Sequence, residues 1–288
     1  MRAIITCIMF VCFVTASFAD TTIDAMHHNA YGSNTGWIEA RGDVTHGAVI
    51  GQYYCEGYIY SANCGWISLG NVPKNGHHYG NAASDDWGVN HDGEGELQGY
   101  AYGANIGWIN FEQTYGKPKV DLRTGNLSGY VWSANTGWIS LSNAYAYVRT
   151  ETLAEGPDSD RDGIPDPWEY KCAGDLTSLG TGDSDSDGVP DLAEYGADTD
   201  PRNSSEYLAV TAYGVDAGNT NAVTWKTTRR SRFYRLECTD LLSETPVWRD
   251  SGLGVMSPDS GDTMTREVIS AGASKRFYRV KAVLPLMP

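Results

Sequence analysis

Long apolar runs are scarce in this 288-residue chain. Only the stretch from Ile4 to Val14 is apolar at any length, and it is too short to span a bilayer. With Arg2 ahead of it and Ser17-Phe18-Ala19 behind it, residues 1–19 have the form of a secretory signal, with Asp20 as the expected mature start. No later stretch offers a transmembrane anchor. Basic side chains are also few: 21 Lys and Arg stand against 36 Asp and Glu, a formal net charge of −15, which excludes a nucleic-acid-binding reading. The sequence has no Cys-x-x-Cys pair and no zinc-finger spacing. Past residue 19 only Cys55, Cys64, Cys172 and Cys238 remain. An exported chain can oxidise them; nearness in sequence favours a Cys55–Cys64 disulfide, and a Cys172–Cys238 bridge is a weaker option. Catalytic signatures are missing too: no Gly-x-Ser-x-Gly elbow, no His-Glu-x-x-His and no phosphate loop. The six histidines, His27, His28, His46, His77, His78 and His91, fall in polar or loop-like stretches. Carboxylates such as Asp85, Asp86, Asp92 and Glu94 carry no spacing that selects a catalytic pair. The chain therefore reads as a non-enzyme, with a glycoside hydrolase as the remote alternative.

Negative charge is present in abundance, and it is concentrated. Residues 151–204 hold 15 acidic and 3 basic side chains. Within them, DSDRDGIPDPWE and DSDSDGVPDLAE repeat one pattern 25 residues apart. Loop positions one, three, five, nine and twelve are Asp158, Asp160, Asp162, Asp166 and Glu169 in the first copy. In the second they are Asp183, Asp185, Asp187, Asp191 and Glu194. Gly163 and Gly188 occupy position six, where a tight loop must turn sharply, and the backbone carbonyls of Ile164 and Val189 at position seven complete the candidate ligand set. Alternating carboxylates around a turn suit a hard, oxygen-seeking cation, so about two calcium ions are expected. Without them, five carboxylates in twelve residues repel, and the segment is expected to order only with metal.

These two copies, down to Asp198-Thr199-Asp200-Pro201, resemble thrombospondin type 3 repeats as bacteria use them. The resemblance implies calcium held along a stiff extracellular connector. A dockerin pairs similar loops but follows them with longer helices than Pro167–Tyr170 or Leu192–Tyr195 suggest.

Residues 20–150 contain four related lines ending in Asn-x-Gly-Trp-Ile, with Trp37, Trp66, Trp108 and Trp138 as markers. The second interval is longer, through an insertion around Asn75–Gly80. Each copy reads as a β-hairpin: alternation puts Leu127, Gly129 and Val131 on one face and Ser128, Tyr130 and Trp132 on the other. Asn34, Asn63, Asn105 and Asn135 are expected to bond their turn backbones, and Gly57, Gly99 and Gly129 to let another layer approach closely. One hairpin cannot bury its apolar face alone, so an array of stacked neighbours is expected. The lines resemble aromatic Asn-x-Gly-Trp-Ile repeats of secreted proteins from environmental bacteria, a resemblance that implies a compartment and no chemistry. Tyr58, Tyr60, Tyr100, Tyr102, Tyr130 and Trp132 either pack between hairpins or form a ladder for sugar rings.

Residues 205–288 show six candidate strands, Tyr207–Tyr213, Ala222–Thr227, Phe233–Cys238, Val247–Asp250, Thr263–Ile269 and Phe277–Val283, separated by turn-formers. They are expected to form a small β-sandwich that resembles a fibronectin type III or immunoglobulin-like domain. The whole is expected to be mainly β: signal (1–19), hairpin repeats (20–150), a calcium connector with short helical turns (151–204) and the sandwich (205–288). Its expected role is a secreted calcium-binding structural or adhesion protein that meets a glycan or a cell-surface or matrix component. A lectin-like binder and a component of polysaccharide degradation are the alternatives.

Overall fold

The computed structural model describes residues 20–42, 45–176, 180, 182–215, 220–269 and 275–286. The expected signal segment lies outside them. Thirteen strands come first: β1 (Ile23–Gly32), β2 (Gly36–Glu39), β3 (Val49–Ile50), β4 (Cys55–Ser61), β5 (Gly65–Gly70), β6 (Val89–His91) and β7 (Leu97–Gly103), then β8 (Gly107–Asn110), β9 (Lys119–Val120), β10 (Leu127–Ser128), β11 (Tyr130–Ser133), β12 (Gly137–Ser140) and β13 (Val148–Thr150). Each aromatic repeat is one antiparallel hairpin: β1–β2, β4–β5, β7–β8 and β11–β12.

The hairpins do not stack as an array. Neighbours pair edge to edge, β2 to β4, β5 to β7 and β8 to β11, and β12 returns to β1 with Tyr31 opposite Ser140 and Gly32 opposite Ile139. The result is a closed eight-stranded antiparallel barrel, which corrects the expected hairpin-repeat array. Twisted strands curl, and closing the ring satisfies both edges that an array would leave exposed. Ile38, Ile67, Ile109 and Ile139, one from each Trp-Ile, point inward with Ala30, Ile59, Ala101 and Val131. They fill the barrel down to an apolar void of about 40 Å³, so contacts with other molecules must be made on the outside.

Two devices in the repeat become intelligible in the ring. The four turn asparagines bond the neighbouring turn rather than their own. Asn63 Nδ2 donates to Thr35 O at 3.2 Å, Asn105 Nδ2 to Cys64 O at 3.0 Å, Asn135 Nδ2 to Ile106 O at 3.0 Å and Asn34 Nδ2 to Thr136 O at 2.9 Å, a circuit around one barrel end. Gly57, Gly99 and Gly129 have φ of +83°, +95° and +86°. A Cβ there would lie 2.2–2.3 Å from the carbonyl oxygens of Gly47, Gly88 and Lys117, the close approach their repetition predicts.

Beyond the barrel lie two short helices, α1 (Asp166–Cys172) and α2 (Asp191–Ala197). Six strands follow: β14 (Ala209–Val215), β15 (Thr220–Lys226), β16 (Phe233–Thr239), β17 (Arg249–Met256), β18 (Thr263–Ile269) and β19 (Phe277–Val283). They form two separate three-stranded sheets, β14-β15-β18 and β17-β16-β19, in place of the expected β-sandwich. The physical reason is limited burial. Among the described residues, the buried apolar cluster here is small: Val223, Trp225, Tyr234, Leu236, Met264 and Val268, from β15, β16 and β18. Strand β14 is exposed along almost its whole length. The phrase Arg232-Phe-Tyr-Arg235 recurs as Arg276-Phe-Tyr-Arg279, and the strands that carry the two copies, β16 and β19, pair antiparallel with the copies at opposite ends: Tyr234 lies opposite Ala282 and Tyr278 opposite Cys238. Among the described residues no helix is long and apolar enough to cross a membrane.

Candidate metal centre

The two acidic loops have matching backbones. Gly163 and Gly188 both have φ of +95°, and at loop position four Arg161 and Ser186 have φ of +66° and +64°. Pro165 and Pro190 then precede α1 and α2 in extended conformation, so both loops lead into a helix in the same way. Asp158, Asp160 and Asp162 bring one carboxylate oxygen each within 4.8 Å of one another, and Asp183, Asp185 and Asp187 do the same. Backbone amides hold these groups in place. Asp158 accepts from the N–H of Arg161 and Gly163, and Asp183 from those of Asp187 and Gly188. Asp162 and Asp187 accept from the N–H of Ile164 and Val189.

The closing glutamates are the telling groups. Glu169 and Glu194 are fully buried. Both oxygens of Glu169, one oxygen of Glu194, and one each of Asp162, Asp185 and Asp187 are buried without a hydrogen-bond partner. Burial, reinforced by Asp162, Asp160, Asp166 and Asp158, pushes the Glu169 carboxyl up to about 7. Burial, with Asp185, Asp187 and Asp191 adding repulsion, pushes Glu194 up to about 7 although Thr199 donates to it. A buried carboxylate without a donor is costly. An oxygen-only donor set with several free lone pairs fits a hard divalent cation, which would satisfy those oxygens and offset the repulsion.

Not every expected ligand is free. Asp166 accepts at 2.7 Å from Ser159 N–H and at 2.6 Å from its hydroxyl; Asp191 accepts at 2.9 Å and 2.8 Å from the same groups of Ser184. Position nine thus holds position two of its own loop, and Ser159 and Ser184 are the partners that sequence reasoning missed. The signal was a serine after the first aspartate in both copies. Ile164 is fully buried and Val189 half-buried, so position seven also supplies apolar packing.

The loops are clamped between the barrel and the last two sheets. Ile164, Trp168 and Tyr195 form one buried cluster with Tyr53, from the stretch just before β4. Asp198, at the end of α2, accepts from Trp168 Nε1 and Lys171 Nζ, both at 3.1 Å, and from the Ser231 hydroxyl. Arg232 donates to the carbonyls of Tyr195 at 2.9 Å and Gly196 at 3.0 Å, capping the negative end of that helix. The dense acidic run hid these hydrogen bonds, which join residues 27 to 37 positions apart.

The aromatic candidates lie on the outside of the barrel. Tyr58, Tyr60, Tyr100, Tyr102, Tyr130 and Trp132 are each about 36–50% exposed, and the four repeat tryptophans about 42–53%. Tyr31, Tyr60, Tyr102 and Trp132 each meet the facing tryptophan of their hairpin at about 5 Å between ring centroids. The expected Cys55–Cys64 disulfide is absent: both thiols are free and buried, as is Cys238, and Cys172 is free and half-buried. Cys55 opens β4 and Cys64 sits in the turn after it, so a strand of seven residues holds them ~20 Å apart. Compared with protein-family models, curated proteins and solved structures, the chain matches none.

Proposed function

We propose that this is a calcium-binding structural protein of the cell exterior, in which two ions stiffen the segment joining the barrel to the last two sheets. The observation that carries the reading is the pair of buried glutamates, Glu169 and Glu194, whose unpartnered oxygens close the two loops in which three aspartates converge. Their links to Tyr53 on one side and Ser231 and Arg232 on the other make the loops a joint rather than a tether. Metal-bound loops would hold that joint at one angle, as the resemblance to thrombospondin type 3 repeats implies. Extracellular calcium makes weak sites sufficient, with Kd on the order of 0.1–1 mM. The test is calorimetric titration of the full chain with calcium, alongside thermal melts in calcium and in chelator. Two sites and a higher melting temperature in calcium are expected. No heat and no shift would reject the reading.

A second reading has its own support: the barrel's half-exposed aromatic belt suits contact with sugar rings, since flat rings with polar tips stack on pyranose faces. Binding to insoluble polysaccharide should then be lost in Tyr100→Ala and Tyr130→Ala variants that keep the wild-type melting profile.

A further inference from the structure

Four-fold repetition is broken in one place. Between Trp66 and Trp108 the chain carries extra residues, and these build a wall beside the second hairpin. Two clefts open there, of about 470 Å³ and 330 Å³. They share Glu56 and Val72, so they meet at that point to make one elongated groove. Tyr53, Tyr54 and Pro157 line the first, and Tyr58, Asn71 and Trp87 the second. Trp87, supplied by the insertion, stands edge-on to Trp108 with centroids 5.1 Å apart and extends the aromatic belt into the groove.

The groove is acidic throughout. Glu56, Glu155, Asp85 and Asp86 line it, and no Lys or Arg does among the described residues. Asp85 is paired with Lys74, and Asp86 accepts from the N–H of Lys74 and Gly80. Glu56 is different: it is half-buried in β4, and among the described residues its carboxylate makes no hydrogen bond or ion pair to the protein. The matching positions in the third and fourth repeats are Gln98 and Ser128, so this carboxylate belongs to the second hairpin alone. Burial also raises its carboxyl above the ordinary value, which a cation beside it would reverse. An unpaired, partly desolvated carboxylate flanked by aromatic rings favours a ligand that brings positive charge on a flat body.

We propose that this groove binds a linear amino-sugar chain, with Glu56 receiving a protonated amine and Tyr58 and Trp87 receiving the sugar faces. The inference rests on the second reading above, that the barrel's outer aromatics contact glycan. A basic peptide is the less suitable occupant. Extended peptides gain most of their affinity by pairing with a free sheet edge, and β4, which carries Glu56, is already paired with β2, β3 and β5.

The test is calorimetry on the full chain in calcium at about pH 6, where a sugar amine is protonated. The probes are a glucosamine hexamer, its N-acetylated form, a neutral glucose hexamer and hexalysine. The glucosamine hexamer should bind, with the other three about tenfold weaker or worse. Glu56→Gln, isosteric and checked for an unchanged melt, should weaken the glucosamine hexamer about tenfold. Tyr145→Ala, at an exposed aromatic after β12 that is not part of the belt, should leave it unchanged. Equal binding of the N-acetylated or neutral hexamer would overturn the amine assignment and leave glycan binding standing, as would an unchanged affinity in Glu56→Gln. Equal binding of hexalysine would overturn the saccharide assignment. Failure of every probe, together with no binding to polysaccharide, would remove this inference and the reading beneath it.

Discussion

Glu169 and Glu194 have opposite effects with and without a cation. Metal-free, each is a buried acid held up to about 7 by burial and by neighbouring aspartates, so its charge opposes folding at neutral pH. Metal-bound, the same charge is what anchors the ion. A neutral replacement should therefore change sign with conditions. In chelator, Glu169→Gln and Glu194→Gln are expected to melt at or above the wild-type temperature. In saturating calcium each should melt below it and bind one ion fewer, read by calorimetric stoichiometry. A lower melting temperature in both conditions would point to an ordinary packing role. The residue-level pattern was legible because ligand chemistry constrains neighbours in sequence: alternating Asp, a glycine at position six and a closing Glu. The Ser159–Asp166 and Ser184–Asp191 pairs were less so, since the spacing alone cannot separate a ligand from the group that braces the loop.

At the scale of elements, the hairpin and the short helix explain most of what the repeats encode. Alternation sends one residue of each Trp-Ile to the interior and its neighbour to the surface, and both outcomes are visible in Ile109, fully buried, and Trp108, about half exposed. The asparagine circuit is a property of four hairpins together. Asn105→Ala should remove one link, leaving Cys64 O without its side-chain donor, and cost about 1 kcal/mol in denaturant unfolding. The same change at Asn34 should match it, because that bond closes the ring between the last turn and the first. An effect at Asn105 with none at Asn34 would indicate that closure contributes little. Arg232 plays the corresponding part for α2, where its guanidinium meets the final carbonyls of a helix too short to be stable alone.

For the whole molecule, the acidic joint should make metal-free stability depend on pH. The folded chain holds protons on Glu169 and Glu194 up to about 7, against an ordinary 4.5 for the unfolded chain. Their favourable contribution is complete below about 4.5 and is lost as pH rises through about 7. His91, fully buried with its own value lowered by burial, acts the other way near neutrality. The measurement is accordingly a comparison in chelator between wild type and the Glu169→Gln/Glu194→Gln double variant from about pH 5 to 7.5. Wild type should lose melting temperature relative to the variant as pH rises in chelator, and saturating calcium should reverse the order, with wild type melting above the variant. Parallel curves would show that the two carboxyls titrate normally.

By itself the sequence determined the local matters: where the loops turn, which carboxylates alternate about them, which residues of each hairpin face in or out, and where the turns fall. Periodicity and spacing suffice for these because the forces involved act within a few residues. Only the tertiary structure decided that the hairpins close as a ring, that the last strands form two separate sheets, that Cys55 and Cys64 stand a strand apart, and that Asp198 ties the loops to Ser231. Each of these depends on which edges meet across long stretches of chain, and an edge carries the same backbone donors and acceptors whatever its partner. The aromatic belt shows the division most plainly. Its residues stand out in the sequence as candidates for either packing or contact. Closure of the barrel turned their faces outward, because eight strands enclose room for the isoleucines and for little else.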